Sequence, residues 1–265
     1  MKQPARKPRG IPLRSVVPNA VTALALCVGL SGVRFAIAEE WERAIAAIII
    51  AGVLDGMDGR IARMLKGQSR FGAELDSLSD VIAFGVSPAI IVHLWSLQFL
   101  PRFGWLFALA YAVCAALRLA RFNANIDVED QPHKSAGFLT GVPAPAAAGL
   151  MLLPVYLWLA TGWEWLREIV FVAPWSALIA FLMVSNLATF SWTSLRLRSR
   201  VRLWVILVIA LVGAALFTAP WPTLSVVSAI YILMIPVSIV SYSKVRRQRA
   251  AATVPPEPPR FADEH

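Results

Sequence analysis

The feature that most constrains this chain is a succession of apolar stretches, at about 16–38, 42–63, 73–99, 103–122, 141–160, 170–191, 202–219 and 222–242. Each is close to the twenty or so residues with which a helix crosses a hydrocarbon core about 30 Å thick. With 58% apolar residues and a mean hydropathy of +0.64, the 265-residue chain is too apolar for a water-soluble domain. In lipid every backbone N–H and C=O must find its partner within the protein, which leaves helices as the way to use such stretches. The expected class is therefore all-α: a polytopic integral membrane bundle of about eight transmembrane helices over 16–242. It is flanked by a basic tail over 1–15 and a basic, proline-rich tail over 243–265, both expected to be disordered.

The formal charge of +9 would suit a nucleic-acid partner if it lay on one soluble face, but it does not. The basic residues sit in short clusters between apolar stretches. With the N-terminus in the cytoplasm, eight spans put all but Arg34, Arg43, Arg102 and Arg167 of the 25 lysines and arginines on the cytoplasmic side. That asymmetry predicts both termini inside a cytoplasmic membrane, contact with anionic lipid, and no nucleic acid. Ala36-Ile-Ala38 imitates a signal-peptide cleavage site, but Arg34 precedes it and the stretch is long enough to span. Cys27 and Cys114 form neither a metal spacing nor a disulfide framework and read as small core residues.

Against this apolar background, the acids of residues 55–80 stand out. Asp55 and Asp58 are spaced i, i+3, and Asp76 and Asp80 i, i+4, so each pair lies on one face of its helix. Entering near Ala44 from the outside, the second span carries Asp55 some 16 Å deep at 1.5 Å per residue, into the cytoplasmic half of the bilayer. The third span places Asp76 and Asp80 one and two turns from its cytoplasmic end. One buried carboxylate costs about 2.5–3.5 kcal/mol on insertion scales, so four together need a compensating charge. Oxygen ligands favour a hard divalent cation, Mg2+ or Mn2+, and a pair of ions would suit phosphoryl transfer. Gly56, Gly59, Ala62 and Gly72 leave small faces on which a flat nucleotide or another backbone can lie.

The string Asp55-x2-Asp58-Gly59-x2-Ala62-Arg63-x8-Gly72-x3-Asp76-x3-Asp80 resembles the signature of the CDP-alcohol phosphatidyltransferases at every fixed position. The resemblance implies transfer of a phosphatidyl group from CDP-diacylglycerol to an alcohol, with release of CMP. It also implies two metal ions on Asp55, Asp58, Asp76 and Asp80, with Asp80 as the base that deprotonates the acceptor. The donor is implied to contact Asn19 and Thr22 at the mouth of the first span, where an Asn also serves as an ordinary helix cap, together with Gly59, Ala62, Arg63 and Gly72. A homodimer is implied as well.

Arg118-Leu-Ala-Arg121-Phe-Asn123 closes the fourth span, and Phe138-x-x-Gly141-x-Pro143-x-Pro145-Ala-Ala-Ala opens the fifth. Both resemble the branch of that family whose acceptor is the hydroxyl of L-serine, and Arg118, Arg121 and Asn123 are the expected acceptor-binding residues. Planar guanidinium groups bind carboxylate bidentately, although basic residues at this end of a span also serve as plain topological anchors. Inositol, glycerol phosphate or choline would be alternative acceptors, and a divalent-cation transporter is a remote alternative from another class. The transporter reading expects acids in paired halves of the chain, and they occur in one. His93 reads as an interhelical packing residue, and Gly67 as a turn.

Overall fold

The computed structural model describes residues 13–124, 138–185, 187–190 and 199–252. Of the tail expected to be disordered over 1–15, residues 13–15 instead open the first helix and residues 1–12 lie outside the described residues, as do 125–137, 186, 191–198 and the last thirteen residues. The chain forms α1 (Leu13–Ile37), α2 (Trp41–Met64), α3 (Arg70–Asp80), a π-helix (Val81–Val86), α4 (Ser87–Trp95) and α5 (Gly104–Ala124). After strand β1 (Phe138–Thr140) come α6 (Ala144–Met151), α7 (Leu153–Thr161) and α8 (Ile169–Val184). Strand β2 (Ala188–Phe190), α9 (Ser199–Thr218) and α10 (Pro220–Ala252) complete it.

Each expected stretch has a helical counterpart, but length and composition single out fewer as membrane spans. Among the described residues four helices are long and apolar enough: Val16–Ile37, Arg70–Trp95, Gly104–Ala124 and Pro220–Ser241. The bent pair α6–α7 makes a fifth if it is one span. Helix α2 has the length but carries Glu42, Arg43, Asp55, Asp58, Arg60 and Arg63, while α8 and the apolar part of α9 are short. Large apolar side chains point outward throughout, among them Phe217 at 94% exposed and Val170 at 85%. In water so extensive an apolar surface is untenable; against lipid tails it costs nothing, and the protein is an integral membrane protein.

Small residues set the helix spacing. A Cβ on Gly29 of α1 would lie 2.9 Å from the Cβ of Ala83, and one on Gly85 2.9 Å from the Cβ of Ala115. The π-helix and α5 therefore approach to backbone distance, as the small-residue contacts of membrane helices allow. Around these contacts Phe84, Ile91, Trp95, Tyr111 and Tyr156 are fully buried and form the centre of the bundle.

Three features depart from the expected set of plain transmembrane helices and disordered tails. First, the π-helix follows directly on Asp80, and its cause is Pro88. Proline has no N–H to give the carbonyl of Phe84, so the turn widens: the N–H of Ser87 reaches back to Ile82 O, and Tyr111 Oη donates to Phe84 O at 3.0 Å. Second, β1 and β2 pair antiparallel, Leu139 opposite Thr189. Gly141, at φ +71°, ends this pair, and its N–H donates to Leu187 O at 2.8 Å. Third, α10 continues to Ala252, where a disordered tail was expected from 243. The run Lys244–Ala252 is made almost wholly of good helix formers, and the first breaker is Pro255.

At the end of the bundle opposite the acids, Arg167 acts as a latch. Its Nε donates to Trp95 O at 2.8 Å, and its guanidinium lies 5.7–6.0 Å from the rings of Trp41, Phe99 and Trp158. His93 packs edge-on against Trp105 with centroids 5.3 Å apart, and Cys27, expected in the core, is exposed on the outer face of α1.

Candidate active site

The acid cluster is built where α2 and α3 descend beside α1. Ser69 starts α3 by accepting the N–H of Gly72 at 3.0 Å, which fixes the register that turns Asp76 and Asp80 inward. Carboxylate oxygens of Asp55, Asp76 and Asp80 then lie within 4.8 Å of one another. The fourth acid, Asp58, is only 5% exposed and is held elsewhere: Thr22 Oγ1 lies 2.5 Å from its Oδ2 and donates to it. Thr22 also ties α1 to α3, because Ser79 Oγ donates to Thr22 O at 3.3 Å. The expected foursome is thus a trio with a neighbour, and the charges of both Asp55 and Asp58 act on Asp76.

Three converging carboxylates repel one another unless positive charge lies among them. Asp80 Oδ1 is buried and has no hydrogen-bond partner, so an acceptor oxygen already faces inward with nothing to satisfy it. An all-oxygen, all-carboxylate donor set of this kind fits a hard divalent cation.

Beside the trio lies a pocket of about 280 Å3 between α1, α2 and the start of α3. All six residues expected to contact the donor line it: Asn19, Thr22, Gly59, Ala62, Arg63 and Gly72. Asp58 and Asp76 line it too, so the pocket opens onto the acids. Gly67, Gln68 and Ser69 complete the wall. Gly67, expected to be only a turn, is buried in that wall. The local cue was the serine three residues ahead of Gly72, which marks a helix start and hence a loop folded back over the pocket.

A Cβ on Gly72 would stand 2.7 Å from Asn19 Oδ1. The end of the Asn19 side chain can yield where a backbone could not, so Gly72→Ala is expected to fold and to displace Asn19 from the pocket. Its KM for the donor should rise about 2- to 10-fold, the worth of one hydrogen bond, with Tm unchanged. Donor-dependent kinetics beside a thermal melt in detergent would check this.

The three expected acceptor residues on α5 are not gathered into one pocket. Arg121 is exposed and donates to Val184 O at 3.2 Å, capping the end of α8. Asn123 Nδ2 donates to Ser77 Oγ at 2.9 Å, bracing α3 next to Asp76. Only Arg118 turns toward the acids: it interacts electrostatically with Asp80, and its Nε is buried without a hydrogen-bond partner. The i, i+3 spacing put both arginines near one face; the carbonyl at the end of α8 drew the second away.

The family model described as CDP-alcohol phosphatidyltransferase matches residues 15–176, more than half of the chain and the whole of this site. The chain belongs to the CDP-alcohol phosphatidyltransferase family. A second model, CDP-alcohol phosphatidyltransferase 2, matches residues 200–236. Relatives named CDP-diacylglycerol--serine O-phosphatidyltransferase include one from Mycobacterium bovis, 42% identical over 179 residues, which covers 68% of this chain and 62% of the relative. The one from Mycobacterium leprae is 41% identical over 172 residues, 65% of this chain and 57% of the relative. The one from Helicobacter pylori is 37% identical over 140 residues, 53% of this chain and 57% of the relative. The match thus spans less than two thirds of the length of each of these relatives.

Proposed function

We propose that the protein transfers the phosphatidyl group of CDP-diacylglycerol to the hydroxyl of L-serine, giving phosphatidylserine and CMP. The observation that carries this reading is that Asp76 belongs to both the acid trio and the wall of the pocket. A nucleotide seated between α1 and α2 would present its diphosphate to the carboxylates. Relatives bearing the serine enzyme's name supply the acceptor.

In this reading Gly59 and Gly72 leave room for the nucleotide, and Arg63 and Asn19 hold it. Arg118 receives the carboxylate of serine. The serine oxygen forms a bond to the phosphorus of the phosphatidyl group as the bond to the CMP oxygen breaks, and Asp80 takes the hydroxyl proton through its free Oδ1. Asp55, Asp76 and Asp80, with Asp58 adjoining, would hold Mg2+ or Mn2+, which would neutralise charge on the diphosphate and favour the ionised hydroxyl.

Eight spans with both termini and the site on the cytoplasmic side of the membrane best accommodate the placement of the lysines and arginines. Assembly as a homodimer rests on the family resemblance alone. The test is CMP release by purified protein given CDP-diacylglycerol, a divalent metal and a panel of serine, inositol, glycerol phosphate and choline. Serine should be the acceptor that releases CMP; release with another member of the panel alone would overturn the acceptor assignment.

A further inference from the structure

The segment Asp76–Asp80 carries two serines between its acids, and both are tied to other helices. At about 100° per residue, Asp76 and Asp80 lie about 40° apart around α3, with Ser77 about 80° to one side of the middle of that pair, Ser79 about 80° to the other, and Leu78 opposite. The neighbours match that arrangement. Leu78 faces outward at 63% exposed. Ser79 Oγ, on a buried side chain, donates to Thr22 O of α1 at 3.3 Å. Ser77 Oγ accepts from Asn123 Nδ2 of α5 at 2.9 Å and donates to Ala73 O at 3.1 Å, with Asn123 Oδ1 a second acceptor at 3.3 Å. The carboxylate face is thus flanked by two serines, each bound to a different neighbouring helix.

The ties act on rotation. The Ser69 cap sets where α3 starts, while turning of the helix about its own axis is resisted by lateral contacts. Side-chain ends lie about 5–6 Å from a helix axis, so a turn of about 10° carries a carboxylate oxygen about 1 Å sideways. Metal–ligand distances tolerate only about 0.2 Å. A turn too small to disturb apolar packing would therefore disperse oxygens that now lie within 4.8 Å of one another. Leu78 offers no resistance to it, because lipid tails meet that side chain equally well at either angle. Two hydrogen bonds on opposite flanks oppose the turn in both directions.

We propose that Ser77 and its partner Asn123 are positioning residues of the acid trio: with Ser79 as the opposing tie they hold the rotation of α3, so that Asp76 and Asp80 meet Asp55 on a divalent cation. This rests on the cation-binding part of the reading above and gives Asn123 a task other than contact with the acceptor. It also couples the acids to α5, the helix that carries Arg118.

The test is Mn2+ affinity of the full chain in detergent, followed by electron paramagnetic resonance, with kcat, KM for both substrates and Tm beside it. Ser77→Ala and Asn123→Ala are each expected to weaken Mn2+ binding by about tenfold, the lower end of what loss of a supporting hydrogen bond behind a metal site costs, and to lower kcat with KM for serine unchanged. The two together should weaken it little further, because they cut one tie. Ser77→Thr keeps the hydroxyl and should bind Mn2+ like the wild type; so should Leu78→Ala, on the opposite face. Unchanged Mn2+ affinity in Ser77→Ala overturns the proposal, as do equal losses in Ser77→Thr and Ser77→Ala, an equal loss in Leu78→Ala, or full additivity of Ser77→Ala with Asn123→Ala. A raised KM for serine with unchanged Mn2+ affinity in Asn123→Ala makes that residue an acceptor contact and overturns it equally. Should Asn123→Ala fail to fold, the Ser77→Ala and Ser77→Thr pair decides alone. A wild type that binds no Mn2+ defeats the cation reading and the proposal with it, whereas a wild type that binds Mn2+ no more tightly than Ser77→Ala defeats the proposal only.

Discussion

Asn at Asp80 is expected to reduce CMP release by at least about 100-fold, the lower end of what a general base contributes, while binding of CDP-diacylglycerol and of Mn2+ stays measurable. Three observations place this effect on Asp80 above its neighbours. Its Oδ1 is buried and unpartnered, whereas Asp58 is engaged by Thr22. It stands beside Arg118, the one candidate acceptor residue that faces the acids. It also ends α3 where the π-helix begins. Asn keeps the size and one acceptor oxygen, so the fold and the partial ligand set should survive, but it takes up no proton. Retention of most of the rate with serine would remove Asp80 as the base.

Asp55→Asn and Asp76→Asn are expected to fail earlier in the cycle, losing cation affinity as well as turnover. Each carboxylate contributes to a trio whose oxygens lie within 4.8 Å, so a neutral amide removes a third of its negative charge. Turnover should fall below detection, and Mn2+ binding followed by electron paramagnetic resonance should weaken by about tenfold or more, the usual cost of a disturbed ligand set. Asp58→Asn should weaken Mn2+ binding less, since Thr22 already holds that carboxylate, and should act mainly on the donor in the adjoining pocket. Near-normal turnover of the Asp55 and Asp76 variants at saturating metal would contradict the assignment. The same protein melted with and without chelator gives an independent reading: a cation that relieves repulsion among three half-buried carboxylates raises Tm.

How much of this was legible beforehand depends on whether the information is local. The apolar stretches and the i, i+3 and i, i+4 spacings of the acids are properties of single helices, and the helices and the convergence of three of the four expected carboxylates follow from them. The pocket residues were legible through the motif, since Asn19 meets Gly72 only after α1 packs on α3. What sequence spacing could not supply is competition for partners. Thr22 engages Asp58 beside the trio, Val184 O accepts a hydrogen bond from Arg121, and Ser77 Oγ accepts one from Asn123. Each contact joins residues far apart in sequence.

The π-helix had a visible cause in Pro88, but the consequence depended on Tyr111 of another helix being there to satisfy the carbonyl of Phe84. The helical extension to Ala252 was legible in composition and was outweighed by the prolines that follow it.

The most direct test of the central claim follows the acceptor itself. Purified protein is given unlabelled CDP-diacylglycerol and radiolabelled serine, with Mg2+ or Mn2+ and then with chelator, and the label entering the lipid phase is compared with the CMP released. The account predicts label in lipid equal to CMP mole for mole, abolished by chelator and restored by added metal. CMP released without label in the lipid would mean that water or another alcohol takes the phosphatidyl group, and would contradict it.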